Sequence, residues 1–349
     1  MASPIQSIDQ KLVENGNKQT AIPSNYAYFK NPEDSNGLPG DCIPIIDYSL
    51  LISEDPDQQH KCVYELGKAC RDWSFFLVKN HGISEKLYET LFEKWEEFNL
   101  MSDDEKQEFK ITTKGVLDRI RFGSNNFSTR YDKVRFWRDY LKLSVHPDFN
   151  SPHKPAGFSE ILLELCTKQR ELMKKLLGGV SKSLEVEESY LYDVAEMNKS
   201  VEFLATNRYR PCPQPELAIG IPPHTDFGLF TILASNGVAG LQIQQKGKWF
   251  NVIPHKNHLM VNLGDQMEVL TNGKYKSLVH RATLNCETVR LSIATTYGPE
   301  VNNYVVPAPK FVCDNIDPPA YRGMKYGDYL IADQSSTQNA VTSLDLVRI

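Results

Sequence analysis

The chain has no apolar run of the length a membrane-spanning helix needs, and its first residues, MASPIQSIDQ, carry neither a basic stretch nor an apolar one. A membrane span and a secretory leader are therefore not expected, and the expected address is the cytoplasm. Blocks of like charge are also missing. With 39 Lys and Arg against 44 Asp and Glu, the formal charge of −5 is spread along the chain and leaves no basic face for a phosphate backbone or an anionic bilayer. Nucleic acid and membrane are excluded as partners on this reading, and a monomer acting on a small molecule is expected. There is no CxxC pair. The seven cysteines, Cys42, Cys62, Cys70, Cys166, Cys212, Cys286 and Cys313, are odd in number and scattered. That argues against a disulfide framework or a thiolate zinc cage, and for reduced, structural thiols. In a chain that stays in the cytoplasm, the sequons at Asn126 and Asn198 are chance matches. Internal repeats and low-complexity tracts are lacking too.

What is present suits a soluble enzyme: 349 residues at 41% hydrophobic content can bury the core of one or two domains. Residues 1–40 are polar and rich in Asn, Ser, Pro and Gly, and read as a loosely ordered N-terminal arm. Residues 41–200 read as mainly helical. Ile43 to Asp47 and Trp73 to Val78 have strand character, but Leu87, Leu91, Trp95 and Phe98 recur at helical steps. Ser102 with Glu105 makes a capping-box start. A long helix is predicted over roughly 157–185, its apolar stripe including Ile161, Leu165, Leu172, Leu176 and Leu177, with Gly178-Gly179 weakening its end. From about residue 200 the texture becomes short runs of Val, Ile, Thr and aromatics between turn signals, the pattern of an antiparallel sandwich or barrel. Leu241 to Ile243 and Trp249 flank Lys246-Gly-Lys248 as a hairpin, and Asn272-Gly273 marks another tight turn. The fold class is thus mainly β with a helical N-terminal part.

Three pairs carry the chemistry. His224-Thr-Asp226 sits where a strand is expected to begin, so an imidazole and a carboxylate at i and i+2 would share one face. His280, itself in a strand pattern, supplies a third ligand type. Two imidazoles and one carboxylate leave coordination positions open, as a non-haem Fe(II) oxygenase requires; the same set could hold catalytic zinc and an activated water. Arg290-Leu-Ser292 and Asn207-Arg-Tyr209 are further i, i+2 pairs in strand patterns. A guanidinium and a hydroxyl aimed into a barrel would be poorly solvated unless a carboxylate met them, and a dicarboxylate ligand would do so.

These residues, together with Gly240-Leu-Gln-Ile243, Asn262-Leu-Gly-Asp265, Asn272-Gly-Lys-Tyr-Lys-Ser277, Phe75-Phe-Leu-Val-Lys-Asn-His-Gly82 and Trp137-Arg-Asp-Tyr140, resemble the plant 2-oxoglutarate and Fe(II)-dependent dioxygenases. The resemblance runs over nearly the whole chain from about residue 20. The endings Ile293 to Pro299, Pro318 to Gly323 and Leu344 to Ile349 most resemble the group that includes downy-mildew-resistance-type oxygenases and specialised-metabolite hydroxylases. It implies a double-stranded β-helix, or jelly roll, over 201–310, wrapped by N-terminal helices and closed by residues 311–349. It assigns His224, Asp226 and His280 to Fe(II), and Arg290, Ser292, Tyr209 and Asn207 to 2-oxoglutarate, with O2 as the other cosubstrate and ascorbate as reductant. It places Tyr140, Lys142, Phe227 and Thr296 near the substrate.

The chain departs from the family pattern in two places. Arg208 and Arg210 replace an aromatic and a proline, and are expected on the opposite strand face with solvent or a carboxylate. Thr296 stands where flavonoid-oxidising relatives have an aromatic, which predicts a pocket poorly suited to stacking a flat flavonoid. Lys142 is expected to be solvated, and His60, His81, His146, His153, His255 and His258 are expected at surface or capping positions. The implied activity is oxidation, by hydroxylation or desaturation, of a specialised metabolite. The alternatives are inactivation of a hormone or phenolic acid resembling salicylate or gibberellin, a zinc hydrolase on the same ligands, and a jelly roll without chemistry.

Overall fold

The computed structural model describes residues 21–28, 37–40, 43–109, 120–124, 134–313, 316–335 and 342–349. Most of the expected N-terminal arm, Cys42 and Asn126 lie outside them. In chain order the strands are β1 (Ile45–Asp47), β2 (Phe75–Lys79), β3 (Ile120–Ser124), β4 (Asp139–His146), β5 (Val201–Tyr209) and β6 (Ile221–His224). They continue with β7 (Phe230–Ser235), β8 (Leu241–Gln245), β9 (Lys248–Asn251), β10 (Leu259–Leu263), β11 (His280–Ala282) and β12 (Arg290–Gly298). One sheet has the order β1-β2-β10-β7-β12-β5-β4-β3, and a second the order β6-β11-β8-β9. They enclose a cavity between them, as a jelly roll does. Strands from the first 200 residues form both edges of the large sheet.

The two faces of the large sheet have separate tasks, set by the period of two along each strand. Phe76 and Val78, Leu141 and Leu143, Leu204, Ile232, Val261 and Ile293 alternate onto one face and are buried in the main core. That core is completed by three helices: α1 (Pro56–Asp72), α2 (Glu85–Leu100) and α3 (Phe158–Ser183). The alternate residues, among them Lys142, Ala205, Asn207, Thr231, Asn262, Ser292 and Thr296, face the cavity.

Local chemistry explains the helices. The Asp55 side chain caps α1 by accepting from Asp57 N at 3.0 Å, with Pro56 at the first helical position. Ser84 caps α2, which buries Leu87, Leu91, Trp95 and Phe98 as their spacing predicts. The capping box at Ser102 is formed: Glu105 N donates to Ser102 Oγ at 3.3 Å and Ser102 N to Glu105 Oε2 at 2.8 Å. Gly178 and Gly179 do not end α3, which runs on to Ser183. A Cβ at Gly179 would fall 2.8 Å from Leu51 Cδ1 and 2.9 Å from Leu66 Cδ2, so close packing accounts for this glycine. The Lys246-Gly247 hairpin joins β8 to β9, with φ of 51° and 75° at its two turn residues, the signature of a tight twisted turn. Asn272-Gly273 also turns at positive φ, but it ends a helix, α4 (Asp265–Leu270), that the sequence pattern did not show.

Helix α3 is locked to the site-bearing strand β5 by one ion pair. Arg170 donates twice to Glu202, Nε to Oε1 and Nη2 to Oε2, each at 2.8 Å, and Ser200 Oγ adds a bond of 2.9 Å. Glu202 is fully buried, so the guanidinium compensates a charge that water does not reach. Replacing Arg170 by Met should cost about 3–5 kcal/mol in urea unfolding at neutral pH, and a loss below about 1 kcal/mol would show that Glu202 has other compensation.

Candidate active site

Strand β6 ends at His224 and β11 begins at His280, and the two residues pair directly across the small sheet. Asp226 lies two residues past the end of β6, in the loop leading to β7. The ligand atoms of the three side chains all lie within 4.8 Å of one another. Asp226 Oδ1 is 3.8 Å from His224 Nε2 and 3.6 Å from His280 Nε2. Nδ1 of His224 donates to the Pro222 carbonyl at 2.9 Å, and Nδ1 of His280 to the Leu278 carbonyl at 3.3 Å. A carbonyl only accepts, so each ring carries its proton on Nδ1 and keeps an Nε2 lone pair for the centre of the trio. Burial and the neighbouring His280 hold His224 well below the usual imidazole range, which favours the neutral ligand form.

The other oxygen of Asp226 is clamped. Thr231 Oγ1 donates to Oδ2 at 2.6 Å and Asn262 Nδ2 at 2.7 Å. Burial alone would raise the Asp226 carboxyl, but the two imidazoles and these two donors bring it below the ordinary carboxylate value. Thr231 Oγ1 also lies 3.1 Å from Thr296 Oγ1; since the Thr231 proton goes to the carboxylate, Thr296 is the donor in this contact. The loop itself is held by Asp265, whose N–H donates to the Asp226 carbonyl at 2.7 Å. Asp265 Oδ2 accepts from Thr225 Oγ1 at 3.1 Å and from the Tyr329 hydroxyl at 2.7 Å, and burial pushes its carboxyl up to about 8. Tyr329 belongs to α5 (Tyr326–Ser335), so the C-terminal segment is tied to the loop that presents Asp226. Gly264 makes this possible: a Cβ there would sit 2.3 Å from the Gly228 carbonyl oxygen and 2.8 Å from that of Asp226.

On the large sheet, Arg290 is the cross-strand partner of Tyr209, and Ser292 that of Asn207. Asn207 Nδ2 donates to Ser292 Oγ at 3.4 Å, and its Oδ1 accepts from Arg138 Nη1 at 3.1 Å. Arg290 is 3% exposed, with its guanidinium 5.0 Å from the centre of the Tyr209 ring. Burial lowers its pKa and Tyr209 opposes the shift, but among the described residues no carboxylate pairs with it, and its Nε has no hydrogen-bond partner. A desolvated cation lacking an anion is a site for one.

A cavity of about 190 Å³ joins the histidine and carboxylate trio to Arg290 and Ser292. Its remaining walls include Phe203, Phe227, Lys142, Thr296, Arg138 and Asp333. Phe203 and Phe227 meet edge to face with ring centres 5.8 Å apart. Lys142 Nζ lies 4.2 Å from the centre of the Phe203 ring and 5.0 Å from that of Phe227.

Two family models match the chain: the 2OG-Fe(II) oxygenase superfamily over residues 200–299, and the non-haem dioxygenase N-terminal region over 43–161. A rice protein named 2-oxoglutarate-dependent dioxygenase 19 is 36% identical over 317 residues, covering 90% of this chain and 93% of the relative. This chain belongs to the 2-oxoglutarate and Fe(II)-dependent dioxygenases. Another relative, DMR6-LIKE OXYGENASE 2 of Arabidopsis thaliana, is 35% identical and covers 88% of each chain. Among solved structures, JOX2 in complex with 2OG, Fe and JA superimposes with a TM-score of 0.86 at 27% identity, covering 99% of this chain and 98% of that one. The site fits the family's cofactors: the trio is a two-imidazole, one-carboxylate donor set, and the buried Arg290 suits a dicarboxylate while a hydrolytic zinc site has no use for it.

In this dioxygenase the three predicted ligands and the four predicted cosubstrate residues converge on one cavity. The local structure around Asp226 differs from expectation: β6 stops at His224, and hydrogen bonds, not strand alternation, aim the carboxylate. Lys142 is not solvated, being 9% exposed and packed on two aromatic rings, with burial lowering its pKa to about 8. Phe227 and Thr296 line the cavity; Tyr140 does not, and stacks beneath the Arg138 guanidinium at 5.1 Å. Arg208 pairs with Glu96 at 2.9 Å and Arg210 with Asp139 at 2.8 Å, on the face turned from the cavity. Among the remaining histidines, His81 is buried, neither at the surface nor capping a helix, and its Nδ1 accepts from Ile83 N at 3.2 Å in the turn before α2; His146 Nδ1 donates to the Ser200 carbonyl at 2.6 Å. Sequence reasoning gave no role to Thr231, Asn262, Asp265, Arg138 or Asp333; the signal for three of them lay in the motifs Asn262-Leu-Gly-Asp265 and Trp137-Arg-Asp-Tyr140.

Because Thr231 fixes the Asp226 carboxylate, Thr231→Val should weaken Co(II) or Fe(II) binding about tenfold, read by anaerobic metal titration. Unchanged affinity in both Thr231→Val and Asn262→Leu would mean the clamp is not needed.

Proposed function

We propose that this dioxygenase serves small-molecule specialised metabolism, hydroxylating or desaturating an unactivated carbon while 2-oxoglutarate is converted to succinate and CO2. The observation that carries the reading is the buried Arg290 guanidinium, which meets no carboxylate among the described residues and opens onto the same cavity as His224, Asp226 and His280. In this reading the trio holds Fe(II), and Arg290 with Ser292 takes the distal carboxylate of 2-oxoglutarate. Tyr209 packs against that guanidinium, and Asn207, held by Arg138, orients the Ser292 hydroxyl. Iron bound there supplies O2 activation coupled to decarboxylation of the cosubstrate. The protein's share is placement: the hydrogen-bonded Asp226 and Nδ1-protonated imidazoles fix the ligands, and Phe203 and Phe227 form an apolar wall that keeps water from the reacting carbon. The solved complex of JOX2 with 2OG, Fe and JA supports the pairing of iron and 2-oxoglutarate with a further small molecule.

The C-terminal segment closes the site in this account. Its support is the Tyr329 bond to Asp265, the Thr225 bond to Thr342 at 2.9 Å, and Asp333 in the cavity wall. We assign ascorbate as the reductant that keeps the metal ferrous, and a cytoplasmic monomer as the working form. No helix among the described residues is long and apolar enough to cross a membrane.

The test is succinate formation by the Fe(II)-loaded enzyme under air. His224→Ala should lose both retained iron and succinate formation, whereas Thr296→Phe should keep iron within a few-fold and change which substrates stimulate turnover. Succinate formed at the wild-type rate by the His224 variant would overturn the metal assignment.

A further inference from the structure

The hydroxyls of Thr231 and Thr296 form a chain whose direction is set at its far end. Thr231 gives its proton to Asp226 Oδ2 at 2.6 Å, so in the 3.1 Å contact between the two hydroxyls Thr296 gives its proton to Thr231. A threonine hydroxyl has one proton and two lone pairs, so Thr296 Oγ1 keeps acceptor capacity alone. Each bond towards the carboxylate polarises the one before it, which makes that oxygen a stronger acceptor than an isolated hydroxyl. The rotamer is held from behind. A Cβ at Gly228 would fall 2.7 Å from Thr296 Cγ2, so the methyl packs against the Gly228 backbone and the hydroxyl turns to Thr231, which lines the cavity with it.

Thr296 stands between the carboxylate clamp and the aromatic wall. Its cross-strand partners are Thr231 of β7 and Phe203 of β5, and Phe203 meets Phe227 edge to face. The position is separate from the cosubstrate's. Along β12, Ser292 and Thr296 are about 13 Å apart at the rise of a strand, with Ala294 as the cavity residue between them. Ala294 and its partner Ala205 have short side chains and leave the space over them open. A molecule lying there takes Thr296 Oγ1 out of contact with water, which is costly unless the molecule brings a donor. An ammonium buried against two aromatic rings calls for a carboxylate, and a threonine oxygen is none; a neutral O–H suits it.

We propose that the substrate is an alcohol or phenol whose hydroxyl donates to Thr296 Oγ1, while its apolar body lies over Ala205 and Ala294 against Phe203 and Phe227. The inference rests on the reading of the site as a 2-oxoglutarate dioxygenase and names the substrate class that reading leaves open. One hydrogen bond fixes the oxygen of the substrate, and the apolar surface orients the rest of the molecule. Thr296 is then a specificity-determining residue, with a role separate from that of Thr231, whose proton serves the metal ligand.

The experiment is anaerobic calorimetric titration of the protein loaded with Fe(II) and saturating 2-oxoglutarate. The probes are phenol, 2-naphthol, cyclohexanol and borneol, each beside its methyl ether. The wild type should bind its best alcohol at least about tenfold more tightly than the ether, Thr296→Val should abolish that preference, and Thr296→Ser should retain it. Affinities for Co(II) and for 2-oxoglutarate should be the same in all three proteins, which also reports that the variants are folded. No preference for any alcohol in the wild type, binding of none of them, or a preference kept by Thr296→Val would overturn the proposal. A loss of Co(II) affinity in Thr296→Val equal to that in Thr231→Val would overturn it too, by assigning the hydroxyl to the carboxylate clamp. A wild type that takes no 2-oxoglutarate would instead be a failure of the dioxygenase reading.

Discussion

The orientation of the Asp226 carboxylate is the constraint on which the site depends. The residue lies off the strands, yet one oxygen has to face two imidazoles on the opposite sheet. Thr231 and Asn262 solve this together, since they are direct partners across β7 and β10 and present their donors side by side. A one-residue slip of either strand would turn its donor to the other face. Ile232 and Val261, adjacent in sequence, are buried against the helical layer and resist that slip. Burial of apolar side chains under the helices thus sets the geometry of a polar centre on the other face.

The same register arranges the rest of the cavity in rows. Asn262, Thr231, Thr296 and Phe203 are successive partners across four strands, so one row runs from the carboxylate clamp to the apolar wall. The next carries Ala294, Ala205, Lys142 and Arg121, and the next Ser292 and Asn207, with Arg290 and Tyr209 at the end. Two positive points therefore stand at different heights on one surface, with His224 and His280 facing them from the small sheet and Asp226 from the loop after β6. Helix α3 braces this surface from behind, through Arg170 on Glu202 and through Gln169, which accepts from Thr295 at 2.6 Å.

Much of this was legible in the sequence because each signal was local. The i, i+2 spacing in Arg290-Leu-Ser292 and Asn207-Arg-Tyr209 survives as strand alternation, and the stripe of Leu87, Leu91, Trp95 and Phe98 as one buried helix face. Spacing failed where long-range contacts decide. Nothing near Asp226 in the chain reveals that Asn262 holds it, and nothing near Lys142 reveals that Phe203 and Phe227 cover it, so a flexible cation reads as solvated. The helix runs through Gly178-Gly179 as predicted, but what Gly179 serves is again a long-range contact. Local propensity weakens a helix there, whereas close contact of Gly179 with Leu51 and Leu66 is what the glycine serves.

Arg290 holds a buried charge that a dicarboxylate bound beside His224, Asp226 and His280 would neutralise. The most direct test is the weak visible charge-transfer band of a keto acid chelated to ferrous iron, followed anaerobically as 2-oxoglutarate is added to wild type and to Arg290→Ala. A saturable band is expected in the wild type, with a half-saturation at least about tenfold higher in Arg290→Ala. Iron binding without a band, or equal half-saturation in the two proteins, would contradict it.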